Sequence, residues 1–523
     1  MLPKNALTAL HRIFPMLMLA PLAAVPLGAA GAASVGEFAD HGDVGGPALP
    51  GAAIYDATTQ EYRLTGAGTN LWGSADQFHF AWNRMKGDFI LRARFAFVGQ
   101  GRELHRKLGW MIRTSLDGDS AYADGCAHGN GLTSLQFRRS KGAVTEEQVV
   151  PLKGGDVIQL ERRGGTYIFS AARYGETFVS TALTDIELGD EVFVGLFLCS
   201  HNGAVQEQAI FRDVRIVKPA KPDFRPYQDY IGSQLEVLNV FTGQLAALHR
   251  SMEPFEAPNW MPDNRTLLVN VSGRGPAKGV LRLYDRTTGE MRPFDSGEAI
   301  HNNNDHVLSF DGKWLAVSNH APESGGKSAV YTLPATGGPA KRITPSAPSY
   351  LHGWSPDAQW LVYTGGRKLT PDGAEKYDIY KIPAAGGDEV RLTDSPGLND
   401  GPEYSPDGKY IYFNSTRTGL MQIWRMKPDG SEQEQVTRDA YNNWFAHLSP
   451  DGKWMVFVSY GAHDVRADDH PYYKHVYLRM LPTSGGGEPR AIAYVYGGQG
   501  TMNVPSWSPD GRQVAFVSNT VPF

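Results

Sequence analysis

The segment Ser405-Pro406-Asp407-Gly408-Lys409 lies between two short apolar runs, and variants of it recur through the second half of the chain. Proline presets the first turn position, aspartate bonds nearby backbone N–H groups, and glycine accepts the left-handed conformation. The segment therefore predicts a tight turn between two strands. Six copies start 44 to 59 residues apart, at Met261, Ser309, Ser355, Ser405, Ser449 and Ser508. A strand-only repeat of this length is typical of β-propeller blades.

The six turns predict a six-bladed propeller over residues 228–523. The repeat begins with two outer strands near residues 234–250 and ends with two inner strands near residues 504–518. We expect these four strands to form one blade, because that arrangement closes the ring and removes its free sheet edges.

The region before the propeller also consists of short strands. Residues 36–218 alternate apolar and polar side chains with period two, in runs separated by turn residues, and no convincing amphipathic helix interrupts them. Many short strands with one wet face predict a β-sandwich. Residues 219–227 are rich in proline and charge, which predicts an extended linker. The fold class is therefore all-β.

Composition excludes some functions and suggests a compartment. The 523 residues are 41% hydrophobic and 20% charged, with a net charge of −5 and no basic run, so nucleic-acid binding has no electrostatic support. Residues 1–33 combine Lys4 and Arg12 with an apolar stretch and small residues near position 31. This pattern predicts a secretory signal peptide, with a membrane anchor as the alternative. No other segment is apolar enough to cross a bilayer, and we expect a periplasmic or secreted protein.

The chain has two cysteines, Cys126 and Cys199, both in the N-terminal region. An oxidising compartment permits a disulfide between them, and two unpaired buried thiols are the alternative.

The C-terminal half resembles the TolB-type six-bladed propeller, a relative of WD-repeat folds. The resemblance rests on the Ser-Pro-Asp-Gly turns, on residues 412–417 and on the Asp-Ile-Tyr and Gln-Ile-Trp runs at residues 378–380 and 422–424. It implies a periplasmic, non-enzymatic scaffold that binds protein partners at the cell envelope.

The N-terminal region resembles the concanavalin A-like, or laminin-G-like, jelly-roll β-sandwich. The matching stretches are residues 75–82, 108–113, 159–162 and 195–197. This resemblance implies a module that binds carbohydrate. It does not imply hydrolysis, since the Glu-x-Asp-x-x-Glu pattern of the superfamily's retaining glucanases is missing from the sequence.

Propeller ligands usually meet the mouth of the central channel, where the inner strands begin. Aligning the repeats on the turn places equivalent residues around one ring. The ligand-binding candidates on it are Glu256, Asn304, Tyr350, Asp400, Trp444 and Asn503. The catalytic candidates are His306, His352, His447 and Glu403. Amide, tyrosine and tryptophan side chains suit a sugar, and imidazoles and carboxylates supply a general acid and base.

The three imidazoles, His306, His352 and His447, are also candidate ligands for a divalent metal ion. Oligogalacturonate lyases resemble this chain in their blade turns, and in that family a His-bound metal activates an acidic sugar for β-elimination. Arg367 and Arg417, at the ends of inner hairpins, could face such an anionic substrate. A hydrated polar funnel without a ligand remains the alternative.

Residues 460–475 form a long polar insertion within one blade. Either it is an exposed loop, or His463, Asp469 and His470 join the channel mouth.

These patterns predict a protein that recognises a glycan or oligosaccharide and that could act as a lyase-like enzyme upon it. The alternative is the TolB-like protein-interaction scaffold. Gly-x-Ser-x-Gly, phosphate-loop and Cys-x-x-Cys motifs are missing from the sequence, so serine hydrolase, nucleotide and zinc-ribbon functions have no support.

Overall fold

The computed structural model describes residues 34–225, 228–272, 278–370 and 372–521. Within these ranges the regular structure consists of strands and one 3₁₀ turn, Pro322–Ser324, which confirms the all-β fold class. The signal peptide expected at residues 1–33 lies outside the described residues. Among the described residues, no helix has the length and apolar character needed to span a membrane.

Sixteen strands precede residue 218 and form two seven-stranded antiparallel sheets and a small hairpin. The strands are β1 (Asp40–Val44), β2 (Ala52–Asp56), β3 (Glu61–Gly66), β4 (Leu71–Trp72), β5 (Ala75–Asp76), β6 (Phe78–Lys86), β7 (Phe89–Val98), β8 (Lys107–Arg113), β9 (Tyr122–His128), β10 (Leu132–Arg138), β11 (Glu146–Lys153), β12 (Val157–Arg163), β13 (Thr166–Ala172), β14 (Val179–Leu183), β15 (Glu191–Cys199) and β16 (Glu207–Val217). One sheet has the order β1-β6-β15-β8-β9-β10-β11, and the other β14-β13-β12-β7-β16-β3-β2.

The two large sheets share one apolar core. Leu108 and Trp110 of β8 pack with Leu91 of β7 and Leu160 of β12, and all four side chains are fully buried. Burial of large apolar side chains between two sheets is the main stabilising term of such a region. Its assignment to the concanavalin A-like jelly roll stays a prediction, as do the domain limits at residues 36–218, 219–227 and 228–523.

The cysteine alternatives are decided in this region. Cys126 and Cys199 are buried and both are free thiols, so the unpaired alternative holds.

The remaining strands form six antiparallel sheets, the blades of a ring. They are β17 (Gly232–Asn239), β18 (Leu245–Ser251), β19 (Phe255–Trp260), β20 (Thr266–Val271), β21 (Leu281–Asp285), β22 (Met291–Pro293), β23 (Asn302–Leu308), β24 (Trp314–Asn319), β25 (Ala329–Pro334), β26 (Lys341–Arg342), β27 (Ser349–Trp354), β28 (Trp360–Lys368), β29 (Glu375–Pro383), β30 (Val390–Arg391), β31 (Asn399–Tyr404), β32 (Ile411–Thr418), β33 (Leu420–Met426), β34 (Glu434–Gln435), β35 (Tyr441–Leu448), β36 (Trp454–Gly461), β37 (Lys474–Pro482), β38 (Arg490–Gly497) and β39 (Gln513–Thr520). Blades 1 to 5 are β19–β22, β23–β26, β27–β30, β31–β34 and β35–β38.

Blade 6 closes the ring as the repeat pattern predicts. Strand β17 pairs along its whole length with β39, from Gly232 opposite Thr520 to Asn239 opposite Gln513, and β18 pairs with β17. An isolated antiparallel bridge between Trp507 and Val514 lies at the place of the innermost strand of this blade. The first and last strands of the propeller therefore hold each other in one sheet.

The repeated turn works through the side chains that the sequence indicated. Ser405 Oγ donates to Asp407 Oδ1 at 2.7 Å, and the N–H of Lys409 donates to the same oxygen at 3.1 Å. Gly408 has a φ of +71°, in the left-handed region that favours glycine. Each turn thus fixes the register between the inner strand and the next strand of its blade.

The N-terminal sheets pack against the outer strands of blades 5 and 6. Arg215 of β16 forms a buried ion pair with Glu236 of β17, with 2.6 Å between Nη2 and Oε2. Tyr174 Oη donates to the carbonyl of Ile492 on β38 at 3.0 Å. These contacts join the N-terminal sheets to the two blades at which the ring closes.

Candidate functional site

A cavity of about 1550 Å³ lies on the axis of the ring, at the end where the inner strands begin. Every blade contributes at least one lining side chain, namely Glu256, Asp305, His352, Asp400, Phe445 and Asn503 in blades 1 to 6. The rim includes exposed residues such as Lys278, His301 and Asp468, whereas Glu256, Asp305 and Asn503 are at most 5% exposed. The cavity thus combines a wet rim with a buried polar floor.

Bulges in the inner strands aim these side chains. The pairing register shifts at this end of β19, β23, β27, β31 and β35. In β31, Asp400 and Glu403 are three positions apart, but their partners Asn414 and Tyr412 are two apart. An extra residue re-aims the side chains around it, and such bulges are frequent beside binding sites.

Three of the bulges contain a left-handed residue. Ala257, Gly401 and Phe445 have φ values of +57°, +61° and +56°. This conformation is strained for a side chain as bulky as phenylalanine. The N–H of Phe445 donates to Asn414 Oδ1 of the preceding blade at 2.8 Å, so a neighbouring blade holds the bulge in place.

Two carboxylates on the floor have neutral hydrogen-bond partners. Glu256 accepts bonds from Ser272 Oγ at 2.6 Å and from Tyr472 Oη at 2.8 Å. Asp305 Oδ1 accepts a bond from Asn503 Nδ2 at 3.3 Å. Burial raises the pKa of both carboxyl groups. A group that can relieve this desolvated negative charge would bind here favourably.

The third carboxylate is paired with an imidazole. His352 Nε2 lies 3.5 Å from Asp400 Oδ1, which also accepts a bond from Thr364 Oγ1 at 2.7 Å. Burial alone would lower the pKa of His352, but the contact with Asp400 and the nearby charge of Asp305 raise it. Burial would likewise raise the pKa of Asp400, but the contact with His352 lowers it. The pair is therefore stabilised in its ionised form.

His470 brings the long insertion into the cavity, where Asp468 and Tyr472 also line the wall. Its ring packs edge-on against Trp444, with ring centres 4.4 Å apart. Burial lowers the pKa of His470, which favours the neutral form of the ring. Its Nδ1 has no hydrogen-bond partner among the described residues. Of the two alternatives for the insertion, the mouth-lining one holds for His470.

Several buried amides in the cavity wall have unused hydrogen-bonding atoms. Within the described part of the chain, no partner is present for the side-chain atoms Asn270 Oδ1, Asn302 Oδ1, Asn304 Nδ2 and Asn503 Oδ1. Each of these residues is at most 4% exposed. Buried polar atoms without partners are costly, so a ligand or water that bonds them is favoured.

The cavity gathers six of the ten residues that the repeat alignment selected: Glu256, Asn304, Tyr350, His352, Asp400 and Asn503. The other four, His306, His447, Glu403 and Trp444, do not line it. His447 Nδ1 lies 2.7 Å from Glu403 Oε2 in a buried pair between blades 4 and 5. Trp444 is fully buried beneath Phe445 and His470, so it offers no stacking surface.

The three imidazoles expected at a metal do not form one ligand set. His306 is fully buried, its Nε2 lies 3.4 Å from the carbonyl of Leu268, and burial lowers its pKa to about 4. His447 uses its second ring nitrogen on the carbonyl of Met502 at 3.2 Å. Over the described ranges, no group of three or more His, Cys, Asp or Glu side chains is arranged to hold a metal ion. The residues present do not fit a His-bound metal.

The two arginines considered for an anionic substrate are engaged elsewhere. Arg367 forms an ion pair with Glu389 and also donates to Ser349 Oγ at 2.8 Å. Arg417 donates to Gln433 Oε1 at 2.6 Å and to Asn399 Oδ1 at 2.9 Å. Neither side chain lines the cavity.

The alignment of the six repeats did not select Asp305, Phe445 and Tyr472, which also line the cavity. Asp305 and Phe445 directly follow the selected Asn304 and Trp444, at register shifts of their strands. Asn304 lines the cavity together with Asp305, whereas Phe445 lines it in place of Trp444. The polar run at residues 301–306 was the available signal for Asp305. No local pattern marks Phe445, because its exposure to the axis depends on a left-handed backbone.

Comparisons with known proteins agree on the propeller. The family model of the TolB β-propeller domain matches residues 347–470. An uncharacterised protein of Agrobacterium fabrum is 44% identical over 285 residues, which are 54% of this chain and 92% of that protein. A solved structure from Agrobacterium tumefaciens, provisionally named as TolB, is 43% identical with a TM-score of 0.51, and covers 56% of this chain and 100% of its own. TolB from Acinetobacter baumannii is 20% identical with a TM-score of 0.36, over 50% of this chain and 65% of its own.

Proposed function

This chain belongs to the family of TolB-like six-bladed β-propellers, and we propose that its axial cavity binds a glycan. The observation that supports this proposal is the composition of the wall. Carboxylates, unpartnered amides and half-buried aromatic rings surround a single cavity of about 1550 Å³. That volume exceeds the ~300–1,000 Å³ typical of small-molecule pockets, which suits an oligosaccharide rather than a single sugar unit.

Each class of wall residue has a role in this proposal. Glu256 and Asp305 accept hydrogen bonds from sugar hydroxyl groups, and Asn304 Nδ2 donates one to a hydroxyl or ring oxygen. Tyr350 and Tyr377 lie side by side, with ring centres 6.5 Å apart, and provide flat surfaces for the apolar face of a sugar ring.

We propose binding rather than β-elimination of an acidic sugar. Five carboxylates line the cavity, of which Glu256, Asp305 and Asp400 lie on its floor, and the arginines Arg367 and Arg417 are paired outside it. A uronic acid would bring further negative charge next to buried negative charge, which is unfavourable. If proton transfer occurs on the bound glycan, the titratable pair at hand is His352 with Asp400.

We also propose that the N-terminal sheets form a concanavalin A-like module that holds the same glycan, and that the protein acts in the periplasm or outside the cell. The location is tested by fractionating the source cells and sequencing the mature N-terminus. A chain that keeps residues 1–33 in the cytoplasmic fraction would overturn it.

The glycan proposal is tested by isothermal titration of the full mature protein with a panel of short oligosaccharides. We expect binding by at least one class, and at least tenfold weaker binding by the variant Tyr350→Ala. The variant Tyr410→Ala, in a blade turn at the far end of the ring, serves as the control. Failure of every oligosaccharide to bind would refute the proposal.

A protein-binding scaffold at the envelope is the second candidate, and one feature favours it. Phe310 lies in the turn between β23 and β24, and Trp314 is the first residue of β24. Both are at the end of the strands opposite the cavity, and they are 48% and 45% exposed. Large exposed apolar side chains of this kind are common in protein interfaces. The double variant Phe310→Ser with Trp314→Ser would then lose a protein partner but keep glycan binding.

A further inference from the structure

The charge on the cavity floor is unbalanced. Glu256, Asp305 and Asp400 are buried or nearly buried, and among the described residues neither lysine nor arginine forms an ion pair with any of them. The imidazoles nearby are His352 and His470, whose Nε2 atoms lie 3.5 Å and 3.9 Å from the two carboxylate oxygens of Asp400. The remaining buried carboxylates, Glu256 and Asp305, have only neutral hydrogen-bond partners, and the nearby charge of His352 acts on Asp305 without an ion pair.

Cationic residues of the rim do not neutralise the floor. Lys376 lies 3.3 Å from Asp378 and donates to the carbonyl of Asp394, so its charge is already paired outside the cavity. Lys278 lies on the exposed rim. Solvent-exposed charges are screened and contribute little to a buried site.

Unused acceptor atoms stand next to the unbalanced charge. Asn503 donates its Nδ2 to Asp305 at 3.3 Å, while its Oδ1 has no partner in the described part of the chain and the residue is 2% exposed. Asn270 Oδ1, opposite Glu256 across the β19–β20 ladder, is likewise without a partner and equally buried. The floor therefore places carboxylate and amide oxygens together, and a ligand with hydrogen-bond donors would satisfy them.

A protonated primary amine matches this arrangement. It supplies a positive charge and three N–H donors, one for each of several oxygen atoms. A metal ion is the weaker match, because these residues do not form a metal-binding group.

We infer that the cavity floor selects glycans that carry a protonated amine, such as an amino-sugar oligomer, over neutral and acidic glycans. This inference rests on the proposed glycan-binding function. The ammonium group would sit between Asp305 and Glu256 and bond the free oxygen of Asn503. The remaining sugar units would extend toward the rim along Tyr350 and Tyr377.

The test is a titration of the full mature protein with four tetramers at mildly acidic pH, where sugar amines are protonated. The probes are oligomers of glucosamine, N-acetylglucosamine, glucose and galacturonate. We expect the glucosamine tetramer to bind at least about tenfold more tightly than the glucose tetramer, as charge-assisted hydrogen bonds predict. Equal binding, or tighter binding of galacturonate, would overturn the inference and leave the glycan proposal standing.

Substitutions test whether the carboxylates of the cavity floor cause the preference for the glucosamine tetramer. Asp305→Asn should reduce the glucosamine preference to less than about threefold while glucose tetramer binding is retained. Glu256→Gln is the second variant in case the first fails to fold, and circular dichroism checks both. Asp388→Asn removes the same charge from an exposed turn and should keep the full preference. A preference that survives both floor substitutions would contradict the inference.

Two further outcomes separate the competing explanations. Failure of all four tetramers to bind would refute the glycan proposal itself. A dependence of binding on added Ca²⁺ that is abolished by a chelator would mean that the carboxylates serve a metal ion, which also overturns the amine inference.

Discussion

His352 of blade 3 and Asp400 of blade 4 face each other across the axial cavity wall, with 3.5 Å between Nε2 and Oδ1. Blades 3 and 4 supply one partner each, so the pair exists only when neighbouring blades are packed. Burial disfavours the charged form of each group, but the contact between them outweighs it. The pKa of His352 is therefore raised and the pKa of Asp400 is lowered.

The first prediction concerns Asp400→Asn. Removing the carboxylate should lower the pKa of His352, because burial then acts with less opposing charge. A histidine whose pKa is raised by folding stabilises the protein below its unfolded pKa of about 6.5, and this contribution is lost as the pH rises through the folded value. NMR titration of the His352 ring measures the change. An unchanged His352 pKa would contradict it, and Asp388→Asn should leave the ring unaffected.

The second prediction concerns acid stability through His306. Burial lowers the pKa of His306 to about 4, so the folded protein binds this proton less readily than the unfolded chain does. Stability should therefore fall as the pH drops from about 6.5 to about 4, with a contribution from His306 of order 3 kcal/mol. Urea unfolding across this range should show a shallower pH dependence for His306→Gln. A slope identical to that of the unsubstituted protein would refute the prediction.

The third prediction compares two ion pairs between the N-terminal region and the propeller. Glu236→Gln leaves Arg215 buried without its charge partner and leaves one amide oxygen to accept from both Arg215 and Ser518 on β39. The free energy of unfolding should fall by about 3 kcal/mol. Glu37→Gln breaks the pair between Glu37 and Arg250, whose side chains are 40% and 36% exposed, and should cost less than about 1 kcal/mol. Equal costs in denaturant unfolding would argue against a buried contact between the N-terminal sheets and the propeller.

The fourth prediction compares two left-handed glycines. A Cβ at Gly401 would lie 2.9 Å from Phe445 Cδ1, whereas a Cβ at Gly408 would meet nothing closer than 3.6 Å. Both alanine variants carry the cost of a left-handed residue, about 1 kcal/mol. Gly401→Ala should cost at least about 1 kcal/mol more, because it overpacks the cavity wall. Thermal unfolding measures the difference, and the reverse order of stability would be inconsistent with the packing of Phe445.

Sequence patterns predicted the ring because its determinants are local. Each Ser-Pro-Asp-Gly turn depends on a few adjacent residues, and Gly408 and Asp407 act in the turn as their chemistry implies. Strand β9 was harder to predict from the sequence. Residues 124–131 resemble a glycine-rich loop in sequence, but Tyr122–His128 is a fully buried central strand, because pairing with β8 and β10 outweighs the weak strand preference of its glycine and aspartate.

The sequence by itself determined the number of blades, the closure of the ring and the end of the ring where polar residues gather, since repeat spacing and turn chemistry are written along the chain. Only the tertiary structure decided which of those polar residues meet. Bulges rotate Asp305 and Phe445 toward the axis and leave His306 and Trp444 in the packed blades. A bulge depends on hydrogen bonds with the neighbouring strand and blade, so its effect on side-chain direction has no signal within the strand that carries it.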